Sequence, residues 1–302
     1  MTEPDIYQLD VPSLDKTSVF AFIGRCKSGK SNMIKCLCRH FRHDFERVVV
    51  YCGSKKTLRE YAEFIPPVFC HDTFDPDEFT RIYDAQERDW DNGVNERLLV
   101  IVDDFGFNKT VMKSKPIRKV LMNGRNAGIN LFISLQDAVS LEGPGIRGQI
   151  DYVFLAAEKN PELRKRAGKL FNVGFGSVRQ FDAAMRQLTM HHTQMVIMNA
   201  GEQTESVSED VFWYRAPFPV PKFKFAPHSD IWSYNKRHYN QNHSADPNTS
   251  VGVMPNTVPK AVTKRKAKNV QLLRRLAKER DVLQRKRQRQ RHVKTRRKHH
   301  TN

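Results

Sequence analysis

Short apolar runs alternate with amphipathic stretches along the first two hundred positions. Runs at 18–23, 47–52, 68–70, 98–102, 129–135, 152–156, 194–198 and 211–214 are short and rich in Val, Ile, Phe and Tyr, which predicts strands. The run at 98–102 is apolar throughout, so it predicts a strand covered on both faces. Between them, residues 32–41, 57–64, 76–90, 116–123, 161–171 and 178–188 repeat apolar positions at helical spacing. Strand and helix taking turns in this way predicts an α/β fold, a mainly parallel sheet flanked by helices.

The pattern changes after Ala216. Pro217, Pro219, Pro221 and Pro227 interrupt regular structure, and Asn, Ser and His dominate from 235 to 250. The chain therefore divides into a domain at 1–234, a linker at 235–262 and a tail at 263–302. Within the tail, 268–291 can form a helix with Leu272, Leu276 and Leu283 on one face, a stripe too short for a coiled coil. No internal repeat is present.

Charge sharpens that division. The 302 residues carry a net +18, yet 260–302 holds 18 lysines and arginines against only Glu279 and Asp281, or +16, leaving +2 for everything before it. Such a tail is expected to be disordered or helical, to bind polyanions by neutralising phosphates, or to act as a nuclear import signal or a solubilising extension. No aromatic residue interleaves its basic clusters, so base stacking is not expected of it. The five cysteines, Cys26, Cys36, Cys38, Cys52 and Cys70, are odd in number and confined to the first quarter, unlike a secreted disulfide framework. Cys36, His40 and His43 would share a helical face, but without a partner CxxC they read as a packed helix rather than a zinc site. No apolar run approaches the roughly 18 residues of a membrane span. The first residues, Met1 to Asp5, lack the basic and apolar segments of a signal peptide, so a soluble intracellular protein is expected.

Candidate chemistry enters directly after the first strong strand. Gly24-Arg25-Cys26-Lys27-Ser28-Gly29-Lys30-Ser31 matches GxxxxGK[ST] in full, with a predicted strand before it and a helix after it. In such a loop the glycines let backbone N–H groups turn toward phosphate oxygens. Lys30 reaches the terminal phosphates, Ser31 offers a hydroxyl to Mg2+, and Asn32 opens the helix whose N-terminus favours anions. ATP and Mg2+ are the expected ligands. The run 98–102 ends in Asp103-Asp104, which puts two carboxylates at the sheet edge where ligands bind in open α/β folds. Asp103 is the expected magnesium ligand and Asp104 the group that orients and deprotonates water. Gln136, ending the 129–135 run, is expected to contact the γ-phosphate or the lytic water. Arg118, Arg125 and Arg147 flank these strands as candidate arginine fingers, Arg125 first because it precedes the Gln136 strand, while Arg25 and Lys27 could supply charge in cis.

With these residues in place, residues 15–200 resemble the viral genome-packaging ATPases of the HerA–FtsK superfamily, in their poxvirus-like branch. The likeness rests on Phe20-Ala21-Phe22-Ile23-Gly24 running into Gly29-Lys30-Ser31-Asn32, and on Val102-Asp103-Asp104. It continues with Gly124-Arg125-Asn126 before Ile133-Ser134-Leu135-Gln136, then Ile146-Arg147 before Tyr152-Val153-Phe154-Leu155. The family often has Arg-His where Arg125-Asn126 stands. The resemblance implies a RecA/ASCE-like P-loop NTPase whose subunits form a ring, a pentamer or hexamer, around double-stranded DNA and drive a genome into a capsid. It implies action in the virion or the infected host cell, in cytoplasm or nucleus, with capsid protein as a further partner. Two other readings fit the residues: a P-loop kinase acting on a small acceptor, and a nucleotide-switched DNA-binding or scaffold protein.

Overall fold

The computed structural model describes residues 6–105, 111–112, 114–141, 144–171, 174–199 and 206–239. The basic tail and most of the expected linker lie outside the described residues.

Nine strands form one sheet: β1 (Tyr7–Gln8), β2 (Val19–Ile23), β3 (Arg47–Cys52), β4 (Cys70–His71), β5 (Leu98–Asp103), β6 (Ile129–Leu135), β7 (Tyr152–Leu155), β8 (Gln194–Met198) and β9 (Val211–Tyr214). Their order is β1-β9-β8-β7-β2-β6-β5-β3-β4. Pairing is parallel throughout except for β8, which runs antiparallel to both neighbours. Every residue of β2, β5 and β6 is buried, the polar Asn130 and Ser134 of β6 included, so these central strands are covered on both faces. Aromatic rings tie these strands together. Phe20 pairs in register with Phe132 on one side and Tyr152 on the other, at centroid distances of 4.7 and 4.8 Å.

The helices are α1 (Lys30–His40), α2 (Lys55–Ala62), α3 (Pro76–Asp91), α4 (Lys115–Asn123), α5 (Pro144–Arg147), α6 (Pro161–Leu170), α7 (Val178–Leu188), α8 (Val207–Asp210) and α9 (Ile231–His238). Several begin where the sequence supplies a cap. Asp75 accepts from Asp77 N and Glu78 N ahead of Pro76, and Ser177 accepts from Gln180 N. None of the helices in the described residues is long and apolar enough to cross a membrane.

Beyond the short helices α5 and α8, which had no predicted counterpart, the observed elements depart from expectation in three places. The predicted strand at 68–70 is mostly a 3₁₀ turn, Pro67–Phe69, because two prolines precede it, and only Cys70–His71 pairs with β3. Two-residue β1, too short to show a period, is held by pairing with β9. Regular structure also continues to His238, four residues past the expected boundary at 234. There Asn235 Oδ1 accepts from Val68 N at 3.1 Å, and Tyr234 stacks on Phe69.

Residues 215–239 form a strap that returns across the molecule. Phe225 N donates to Phe64 O at 2.8 Å, Ala226 N to Arg42 O at 2.9 Å, and Phe223 packs on Phe64. The strap thereby links the β9 side of the sheet to the segments around α1 and α2.

Candidate functional site

The chain leaves β2 at Ile23 and enters α1 at Lys30, so the glycine loop spans the carboxyl edge of a central strand. Gly24 N donates to Leu135 O at 3.0 Å, seating the loop on β6. A Cβ on Gly24 would lie 2.7 Å from both Ala156 Cβ and Ser28 Oγ, so only glycine fits. Gly29, N-cap of α1, has φ of 94°, the left-handed conformation that glycine adopts without penalty. Lys27 carries a positive φ of 63° in the same loop. The Lys30 amine folds back over the loop, donating to Gly24 O at 2.5 Å and Arg25 O at 3.0 Å. Burial lowers the pKa of Lys30, opposed by the charges of Asp103 and Asp104. Ser28 Oγ is buried with no hydrogen-bond partner among the described residues, a donor left for a ligand. Arg25, Cys26 and Lys27 are exposed.

The acid pair stands two strands away, at the end of β5, with β6 between. Asp103, 2% exposed, accepts on Oδ2 from Ser31 Oγ at 3.1 Å and from Tyr61 OH at 2.8 Å. Asp104 follows in the left-handed region with φ of 57°, and a Cβ on Gly53 would come within 2.7 Å of its carbonyl oxygen. The Gln136 side chain, one residue past β6, lies close enough to the Asp104 carboxylate to help hold its pKa down. Asp104 is exposed, and partial desolvation with the neighbouring Asp103 charge raises its pKa, against Lys30 and the Gln136 side chain. The structure thus brings Lys30, Ser31, Asp103, Asp104 and Gln136 to one edge. The Ser31 hydroxyl and Asp103 carboxylate are adjacent hard oxygen donors beside a phosphate loop, which suits Mg2+.

Arg125 is not among this group. It lies on a 3₁₀ turn, Gly124–Ala127, just before β6, at the amino edge of the sheet. There it pairs with Asp151, which is 4% exposed and also accepts from Val19 N at 2.7 Å. Arg118 is exposed on α4, and Arg147 is half-buried at the end of α5. Cys36 Sγ meets Tyr214 OH at 3.6 Å and His43 stacks on His228. No cluster of three metal-ligating side chains occurs among the described residues.

Two groups had no sequence signal. Tyr61, on α2, is distant from every motif, and its partnership with Asp103 exists only in three dimensions. His191 and His192 both have positive φ, 54° and 63°, in the exposed turn before β8. Because β8 is antiparallel, that turn falls at the carboxyl edge, with His192 Nδ1 3.7 Å from where a Gly29 Cβ would be.

The strand–loop–helix unit and the acid pair on the next strand but one give this chain the P-loop NTPase fold. No family model matches the chain. It is 30% identical over 219 residues to the uncharacterized protein 015R of frog virus 3 (isolate Goorha), covering 70% of this chain and 66% of the relative. It is 27% identical over 228 residues to the uncharacterized protein 088R of invertebrate iridescent virus 3, covering 74% and 86%. Among solved structures it is similar to the genome-packaging NTPase B204 of Sulfolobus turreted icosahedral virus 2 in complex with ATP-γS. That likeness has 16% identity and a TM-score of 0.47, over 67% of this chain and 98% of the other.

Proposed function

We propose that this P-loop NTPase, with relatives in frog virus 3 and an invertebrate iridescent virus and a likeness to viral genome-packaging NTPases of the HerA–FtsK superfamily, is an ATP-hydrolysing translocase that packages double-stranded DNA into a capsid. The observation that carries the hydrolytic part is the convergence of Lys30, Ser31, Asp103, Asp104 and Gln136 at one sheet edge. Lys30 leaves its carbonyl partners to meet the terminal phosphates. Ser31 and Asp103 would hold Mg2+, which when bound would neutralise charge on the phosphates. Asp104, with Gln136 fixing its carboxylate, takes a proton from the water whose oxygen bonds to the γ-phosphorus as the bond to the ADP oxygen breaks. Gln136 also orients that water.

The DNA part draws on the resemblance and on the charge of 260–302. Subunits act as a pentameric or hexameric ring in the virion or infected cell, and the tail adds sequence-independent phosphate contacts. Steady-state ATP hydrolysis by the full chain, with and without duplex DNA of arbitrary sequence, tests this. Duplex is expected to stimulate turnover, and log K for duplex to fall by about 0.9 per log unit of salt for each phosphate neutralised. Turnover indifferent to duplex, or phosphate passed to a small acceptor in place of water, would overturn translocation in favour of a nucleotide switch or a kinase.

A further inference from the structure

We propose that Phe218 is the platform on which the base of the bound nucleotide stacks, an inference that rests on reading Gly24 to Ser31 as a nucleotide-phosphate loop. Two contacts carry it. Tyr214 OH meets Cys36 Sγ at 3.6 Å, and Asn32 Nδ2 donates to Pro217 O at 3.1 Å. Positions 32 and 36 are one turn apart on the same face of α1. The segment leaving β9 therefore runs along α1 against its direction, toward the N-terminal end. The next residue after Pro217 is Phe218, delivered to the first turn of the helix that follows the glycine loop.

Phe218 is 88% exposed, while Val220 and Phe225 further along the same strap are buried. Val220 and Phe225 anchor the strap, and between Tyr214 and Val220 it runs largely exposed, with the Phe218 ring in water one residue past the Pro217 carbonyl that Asn32 holds. The order of the phosphates says what belongs there. Lys30, Asp103 and Asp104 mark the place of the terminal phosphate. The phosphate nearest the ribose falls to the helix N-terminal amides at Ser31 and Asn32. Ribose and base then leave the loop past Asn32, where Pro217 is tied and Phe218 stands. Every base presents a π-face, so one aromatic ring suffices to bind it. Phe218 has no hydrogen-bonding group, so it favours nucleotides over inorganic polyphosphate without choosing between adenine and guanine.

Calorimetric titration of the full chain with ATP and with inorganic tripolyphosphate, each with Mg2+, tests the proposal in wild type, Phe218→Ala, Phe218→Tyr and Lys30→Ala. Phe218→Ala is expected to weaken ATP binding about tenfold and leave tripolyphosphate unchanged, with Phe218→Tyr restoring ATP binding, as stacking requires. Wild-type ATP affinity in Phe218→Ala, an equal loss for tripolyphosphate, or no recovery in Phe218→Tyr would overturn the platform. A wild-type chain that binds neither ligand, or a Lys30→Ala chain that binds both as wild type does, would overturn the phosphate-loop reading itself and the platform with it.

Discussion

The two edges of the central sheet are built in opposite ways. At the carboxyl edge, Lys27, Asp104, His191 and His192 hold positive φ angles, Ser28 Oγ is buried without a partner among the described residues, and the Lys30 amine rests on backbone carbonyls. At the amino edge, charged groups meet protein partners. Asp151 binds Arg125 and Val19 N, and Arg47 reaches Gln86, Asp89 and Glu96 at 2.8 to 3.0 Å. A left-handed backbone at an ordinary residue costs about 1–2 kcal/mol, and a buried unpaired polar group costs a similar amount. Such costs persist where surrounding packing fixes them, and they collect where a ligand will bind. The comparison separates residues that serve the site from residues that serve the fold, although both sets are polar and both flank the same strands.

Breaking the carboxyl edge should produce the largest effect. Asp104→Asn removes the proton acceptor without changing shape, so turnover is expected to fall about a hundredfold or more while ATP stays bound. The pH profile adds a second reading. The base must be deprotonated to act, and partial desolvation with the Asp103 charge raises its pKa, so wild-type turnover should decline on acidification at a higher pH than an unperturbed aspartate would give. The remaining activity of Asp104→Asn should lack that limb. Rates across pH by phosphate release check both, and a mutant near the wild-type rate would assign the water to another group.

Breaking the amino edge should act on stability instead. Arg125→Ala leaves the Asp151 carboxylate with the Val19 N–H but without its cation, and is expected to cost about 1–3 kcal/mol by denaturant titration, with ATP binding intact. Mixing Arg125→Ala with Lys30→Ala subunits decides the finger question. Restored hydrolysis in confirmed mixed oligomers would assign Arg125 to a neighbour's nucleotide, whereas no rescue at any ratio leaves it as the Asp151 partner alone.

The smallest effect sharpens the boundary between the two classes. Tyr61 is buried on the fold side but donates to Asp103 on the site side. Tyr61→Phe keeps the ring and removes one hydrogen bond worth about 0.5–1.5 kcal/mol. The Mg2+ concentration giving half-maximal turnover should rise several-fold, with the maximal rate changed less. A drop in stability with an unchanged Mg2+ requirement would place Tyr61 with the fold.

Much of this was legible in the chain itself. The strands at Arg47–Cys52, Ile129–Leu135, Gln194–Met198 and Val211–Tyr214 fall where the apolar runs lie, because β-branched and aromatic residues packed in a short run favour a strand whatever lies far along the chain. The phosphate loop was legible because its demands are local: glycine at Gly24 and Gly29, then a helix carrying a lysine and a hydroxyl. The acids at Asp103 and Asp104 were legible because a buried strand ends on them. The partner of Arg125 was not, since its position next to the Gln136 strand says nothing about which edge the chain has reached. The helix Ile231–His238 was hidden by composition, because what holds it is Val68, Phe69 and Phe225 rather than its own pattern.

The sequence by itself thus determined the elements, the loop and the carboxylates, which depend on neighbours along the chain and on backbone angles that particular residue types allow. Tertiary structure alone decided which of the polar residues meet. Arg125 and Asp151 are 26 positions apart, Tyr61 and Asp103 are 42, and Asn32 and Pro217 are 185. No period or spacing encodes such pairs, because they exist only once strand order and the return of the strap have closed the intervening chain.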